Sequence, residues 1–154
     1  MNAIIKTISS GIAAATLAMA VPAAAQMELY ENYQPADEVV ELTFVKVDAG
    51  QFETYLEGLK STWVAANEVQ KKLGHISSYA IYEVPYGENE FNVVLRVTFP
   101  NTEMTGPNKA RYLKFLEEYG KANLDQSNKT VLELYNRIRT IQAVHVLREV
   151  KMIK

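Results

Sequence analysis

His145 and Tyr79 are the two side chains of this chain best suited to move a proton. His145 alternates with Leu147 and Glu149 near the C-terminus. Directed into a cleft, its imidazole would serve as a general base or as an axial ligand to haem iron; directed outward, it would be a surface or hydrogen-bonded histidine. Tyr79 lies in an apolar stretch with Ile81 and Tyr82 and would supply a phenol. The other histidine, His75, follows Gly74 and reads as structural. Neither histidine belongs to an H-x-H or H-E-x-x-H spacing or to a carboxylate cluster, so no metal site is expected. The chain has no cysteine, which excludes thiol catalysis, thiolate metal sites and disulfides. No serine sits in a G-x-S-x-G elbow, and the seven glycines are scattered singly, so serine hydrolysis and phosphate-loop chemistry are poorly supported. No cofactor is implied by any motif. Aromatic side chains gather early instead. Phe52, Tyr55, Trp63 and Tyr82 could line an apolar ligand cleft, where rings supply contact area and hydroxyls supply orientation; packed together, they would be core.

These residues need elements to hold them. Gln26 to Glu38 is polar, contains Pro35, and reads as an N-terminal arm ahead of a domain over residues 39–154. Val39 to Val47 alternates as a strand. The spacing of Phe52, Leu56, Leu59, Trp63, Ala66 and Leu73 predicts a helix over Gln51–Leu73, ended by Gly74. Ile76–Val84 and Phe91–Phe99 read as two strands joined by a loop carrying Gly87 and Asn89. Lys109–Tyr119 is a helix ended by Gly120. A polar break at Asp125-Gln126-Ser127 precedes a second helix capped by Asn128, and Ala143–Ile153 is the last strand. The order β-α-β-β-α-β, with its second helical region broken in two, is that of a ferredoxin-like α+β fold: a four-stranded antiparallel sheet with helices on one face.

The other face of such a sheet would present Glu41, Thr43, Val45, Tyr79, Ile81, Val94, Arg96 and Thr98. Glu41 or Thr43 would sit beside Arg96 or Thr98 across the central strand pair. A face this apolar suits pairing with a second copy, and the alternative is a solvated face with ordinary cross-strand pairs. Glu41 and Arg96 would form an acid/base pair or a structural sheet pair.

The segment Val40-Glu41-Leu42-Thr43-Phe44-Val45-Lys46-Val47-Asp48-Ala49-Gly50, with Phe52-Glu53-Thr54-Tyr55-Leu56 and Trp63 after it, resembles the opening of dimeric α/β-barrel proteins, and Arg148-Glu149-Val150-Lys151-Met152 resembles their final strand. The similarity covers about residues 38–154 and is one of topology and texture. It implies the fold, a homodimer with paired sheets and a cleft between sheet and helices. The superfamily includes cofactor-independent monooxygenases, haem-degrading and haem-peroxidase branches, small isomerases and proteins with no known activity, so the resemblance carries over no catalytic residue.

Residues 1–25 supply the compartment. A weakly basic start with Lys6 leads into the apolar run Ile12–Val21, then Pro22 and Ala23-Ala24-Ala25, as in a secretory signal peptide of bacterial type cleaved near Ala25. Its removal leaves 129 residues with 15 of the 16 basic and all 18 acidic side chains, a net charge of −3. That gives no electrostatic footprint for nucleic acid or an anionic membrane. The expected product is a periplasmic or secreted domain that binds a small apolar or aromatic molecule, with cofactor-independent oxygenase-like or isomerase-like chemistry if it is an enzyme. A non-catalytic envelope or stress protein, whose paired sheet is purely an interface, is the alternative. Haem binding is a further one.

Overall fold

The computed structural model describes residues 26–87 and 90–154; the expected signal segment, 1–25, lies outside the described residues. The chain runs β1 (Tyr33–Val47), α1 (Phe52–Leu59), a π turn (Lys60–Val64), α2 (Ala65–Lys72), β2 (Ser78–Glu83), β3 (Val93–Phe99), a 3-10 turn (Thr102–Met104), α3 (Lys109–Tyr119), α4 (Lys121–Thr130), a second π turn (Val131–Tyr135), α5 (Asn136–Ile138) and β4 (Arg139–Met152). The strands form one antiparallel sheet in the order β2-β3-β1-β4. With the helices on one face, this is the ferredoxin-like α+β arrangement expected from the sequence.

Three boundaries differ from the sequence reading. β1 begins at Tyr33, so half of the supposed arm is strand, pairing Tyr33 with Met152 and Pro35 with Val150. Pro35 is tolerated because it lies beyond the stretch of β1 that pairs with β3 and beside a register shift in the ladder to β4. The helical break falls at Gly120, whose φ of 84° ends α3, and Asp125-Gln126-Ser127 continue within α4. A positive φ stops a helix decisively, whereas polar residues merely face water. β4 begins at Arg139 instead of Ala143, with a bulge opposite Phe44 and Val45.

The core lies between the helices and one end of the sheet. Val45, Val47, Tyr55, Leu59, Val93, Leu95, Tyr135 and Ile138 are buried together, with Phe52, Leu56, Trp63 and Ile81 packed around them. Directly paired residues of neighbouring strands share a face. Glu41 pairs with Val97, Thr43 with Leu95 and Val45 with Val93, while Tyr79 and Ile81 pair with Val97 and Leu95. Glu41, Thr43, Val45, Tyr79 and Ile81 therefore share the helix face, which corrects their expected place on the open one. The open face carries Val40, Leu42 and Phe44 opposite Thr98, Arg96 and Val94, and Tyr82 opposite Val94. Tyr82 is thus moved out of the expected cleft. The reason is that this face is covered unevenly. Val39, Val45 and Val47 are buried on it, but Glu41 and Thr43 between them stay partly exposed. Polar residues are tolerated there, and the apolar set shifts to the other parity. Glu41 and Arg96 consequently lie on opposite faces and form no pair.

Candidate functional site

A cleft of about 200 Å3 opens within the helical layer. Leu59, Trp63 and Ala66 form one wall, Phe115, Leu124 and Val131 another, and the polar groups Thr62, Tyr119, Ser127, Tyr135 and Arg139 line it as well. Both π turns contribute to it. The first carries Thr62 and the second Tyr135, and their hydroxyls lie 2.7 Å apart. Thr62 Oγ1 donates to the Gly58 carbonyl at 2.9 Å, which leaves the Tyr135 hydroxyl as donor to Thr62. Single π turns are uncommon in helices and concentrate at functional sites.

Gly58 makes this approach possible. A Cβ at that position would lie 2.7 Å from Tyr135 Cε1 and 2.9 Å from its hydroxyl oxygen. Gly58→Ala is expected to push the Tyr135 ring away at a cost of about 1–3 kcal/mol, the range for overpacking a filled site. Thermal unfolding measures the loss; an unchanged midpoint would contradict the close packing.

Arg139 stands at the start of β4, where strand and helical layer meet. Its Nη1 donates to the Tyr55 hydroxyl at 2.7 Å, and its guanidinium lies 4.6 Å from the Tyr135 ring centroid and 5.3 Å from that of Tyr55. Among the described residues the ion pairs are Lys72–Glu118 and Lys129–Glu133, so no carboxylate neutralises Arg139. Tyr119 completes the polar set, its hydroxyl 2.7 Å from Ser127 Oγ. Burial raises the Tyr55 and Tyr135 phenols above the ordinary tyrosine value, with Arg139 opposing it in part. Both are neutral hydrogen-bonding groups at neutral pH. The cleft thus offers apolar walls, a fixed cation and several hydroxyls, and no histidine or carboxylate lines it.

Of the expected cleft residues, Trp63 lines the cleft directly. Tyr55 is fully buried behind it and holds Arg139. Phe52 packs on the core, and Tyr82 lies on the open face, where Arg96 covers its ring at 5.8 Å. The two proton-transfer candidates do not meet. Tyr79 packs edge-on against Trp63 and hydrogen-bonds Glu68, a bond that raises its phenol pKa. His145 is on the opposite face, edge-on to Phe44 at 5.6 Å, beside an open hollow of about 580 Å3 that Phe91 and Lys46 also line. His145 therefore does not enter the cleft. Arg96 and Thr98 do lie on the open face; Arg96 Nε is buried there without a partner, and Thr98 is almost fully buried. Sequence reasoning missed Thr62, Tyr119, Ser127, Tyr135 and Arg139. The tyrosines occur at helical spacing and look like core. The available signal was Arg139 itself, a cation between Ile138 and Ile141 with no acid within five residues.

No protein-family model matches the chain, and no curated protein matches it significantly. Solved structures similar to it include a protein from Shewanella oneidensis (TM-score 0.47, 12% identity, 78% of this chain and 99% of that one). A dimeric protein of unknown function and ferredoxin-like fold from Bacteroides fragilis gives a TM-score of 0.40 at 15% identity, over 73% of this chain and 94% of that one. A dimeric ferredoxin-like protein of unknown function from Thermobifida fusca gives 0.38 at 3% identity, over 74% and 91%.

Proposed function

We propose that this protein binds a small single-ring aromatic molecule bearing an anionic oxygen group, such as a carboxylate, in the helical-layer cleft. The observation that carries this reading is Arg139, a cation without an acidic partner among the described residues, at the edge of an apolar, Trp-lined space. Cavities of about 150 Å3 accept benzene, so about 200 Å3 suits one ring with a short substituent. The guanidinium and the Tyr119 and Tyr135 hydroxyls would orient the oxygens.

Trp63 is the sole tryptophan and lines the cleft, so its emission reports occupancy. Titration with benzoate is expected to change that emission saturably. Arg139→Leu should weaken binding about 10- to 100-fold, the equivalent of one charge-assisted hydrogen bond, and Ala66→Phe should abolish it by filling the space. A flat Trp63 signal with millimolar benzoate refutes the reading.

Cofactor-independent oxygenation or isomerisation is the chemistry implied by the sequence resemblance. The lining holds no histidine or carboxylate to act as a general base, so binding without turnover is the expected result of incubation with benzoate in air. This keeps open the alternative of a non-catalytic envelope or stress protein. Haem binding would fall outside the cleft, at the open hollow beside His145 on the other face; a haem titration without a Soret shift removes it.

We further propose that two copies pair through their open sheet faces. Leu42, Phe44, Val94 and Tyr82 share this face with Arg96, and an apolar surface of this kind suits a second copy. We also propose export, on the pattern of residues 1–25; a mature protein beginning at Gln26 in the periplasmic or secreted fraction is the expected mass-spectrometric result.

A further inference from the structure

A second cavity, of about 290 Å3, lies beyond Phe115, which lines both spaces. Its apolar walls come from β3 and α3, through Val97, Phe99 and Phe115. Its polar lining includes His75, Asn67 and Arg111, and no carboxylate lines it.

His75 is set up there as a hydrogen-bond acceptor. Its Nδ1 lies 2.6 Å from Gln70 Oε1. A carbonyl oxygen only accepts, so Nδ1 carries the proton and Nε2 keeps its lone pair. Nε2 has no partner among the described residues. Burial, with Arg111 and Lys114 nearby, lowers the pKa of His75, so the ring is neutral at pH 7. Arg111 does not compete for a ligand: its Nη1 donates to the Glu103 carbonyl at 3.0 Å and its Nη2 to that of Gly106 at 2.5 Å. It pins the loop after β3 and leaves positive charge at the cavity wall. Asn67, 8% exposed, donates Nδ2 to the Trp63 carbonyl at 2.8 Å, and its Oδ1 is a second acceptor without a partner among the described residues.

We propose that this cavity is a second small-molecule site, selective for a ring bearing a weakly acidic hydroxyl of the phenol or enol class, whose O–H donates to His75 Nε2. The apolar walls take the ring, and the positive surroundings favour the negative charge a polarised hydroxyl develops. The site is independent of the Arg139 cleft and has the opposite preference: it selects a donor, whereas the cleft selects an anion.

The test uses the two histidines as internal probe and control. Phenol, added to the purified protein at pH 7, is expected to shift the imidazole NMR signals of His75 saturably and leave those of exposed His145 in place. Anisole, which fills the same space without a donor, should bind about three- to tenfold more weakly, the loss expected for one hydrogen bond to a partly exposed acceptor. His75→Phe and the cavity-filling Val97→Phe should each remove phenol binding, with unchanged Trp63 emission reporting an intact fold. Arg139→Leu should leave the His75 response unaltered, which separates this site from the benzoate site. Equal affinity for phenol and anisole, retained binding by His75→Phe, or no shift at His75 overturns the proposal.

Discussion

Tyr55→Ala is expected to lower the unfolding free energy by about 3–5 kcal/mol, the usual cost of deleting a buried aromatic ring. Tyr55 is fully buried in the core cluster, edge-on to Tyr135 with 5.2 Å between ring centroids, and its hydroxyl accepts from Arg139. Removing it opens a cavity and also releases a guanidinium. For a domain whose total stability is about 5–15 kcal/mol, that leaves little margin. Tyr55→Phe separates the two parts. It keeps the ring and removes the acceptor, so its cost is expected to be about 1–2 kcal/mol, while benzoate binding at Arg139 falls along with it. Urea unfolding and Trp63 titration on the same samples give both numbers. Equal losses for Ala and Phe would mean that the hydroxyl, and not the ring, holds this corner together.

Leu42→Arg is expected to convert the paired form into monomers. Leu42 lies at the centre of the open face, directly opposite Arg96 on β3 and His145 on β4. A second guanidinium there sets like charges across a strand pair and would bury both against the partner sheet. Like-charge juxtaposition at an interface costs several kcal/mol; a loss of about 3 kcal/mol corresponds to a dissociation constant more than about 100-fold higher. In the single chain Leu42 is partly exposed, so the fold should survive, as circular dichroism would report. Light scattering after gel filtration distinguishes the species, with Glu53→Arg on the exposed side of α1 as the control that leaves pairing intact. A wild-type monomer at tens of micromolar sinks the paired-face proposal.

The element order was legible because each helix and strand repeats its own period. Leu59, Trp63 and Ala66 mark one helix face, and Val93 and Leu95 alternate cleanly. The faces of β1 were not. Val39, Val45 and Val47 have one parity and Val40, Leu42 and Phe44 the other, so hydrophobicity alone allowed either set inward. Where the helical layer packs on the sheet decided it, and that is a tertiary fact. For the same reason Tyr79 and Tyr82 were assigned to the wrong sides. The cleft was half legible. Trp63 belongs to it, but Tyr119, Tyr135 and Arg139 converge from α3, a π turn and a strand start, and no local spacing records such a meeting.

The two π turns face one another across the cleft, joined by Thr62 and Tyr135. A π turn holds one residue more than the α-helical turn it replaces, and each helical residue advances the chain by about 100°. Deleting a single residue from Lys60–Val64 would therefore restore an ordinary helical turn and leave α2 in its present orientation about its axis, because the bulge takes up the extra residue locally. Ala66 and the strands would keep their places, and the change would be confined to the turn that carries Thr62 and Trp63. By this geometry the scaffold accommodates a chain one residue shorter in each segment, and the two extra residues bear only on the turns that bring Thr62 and Tyr135 together.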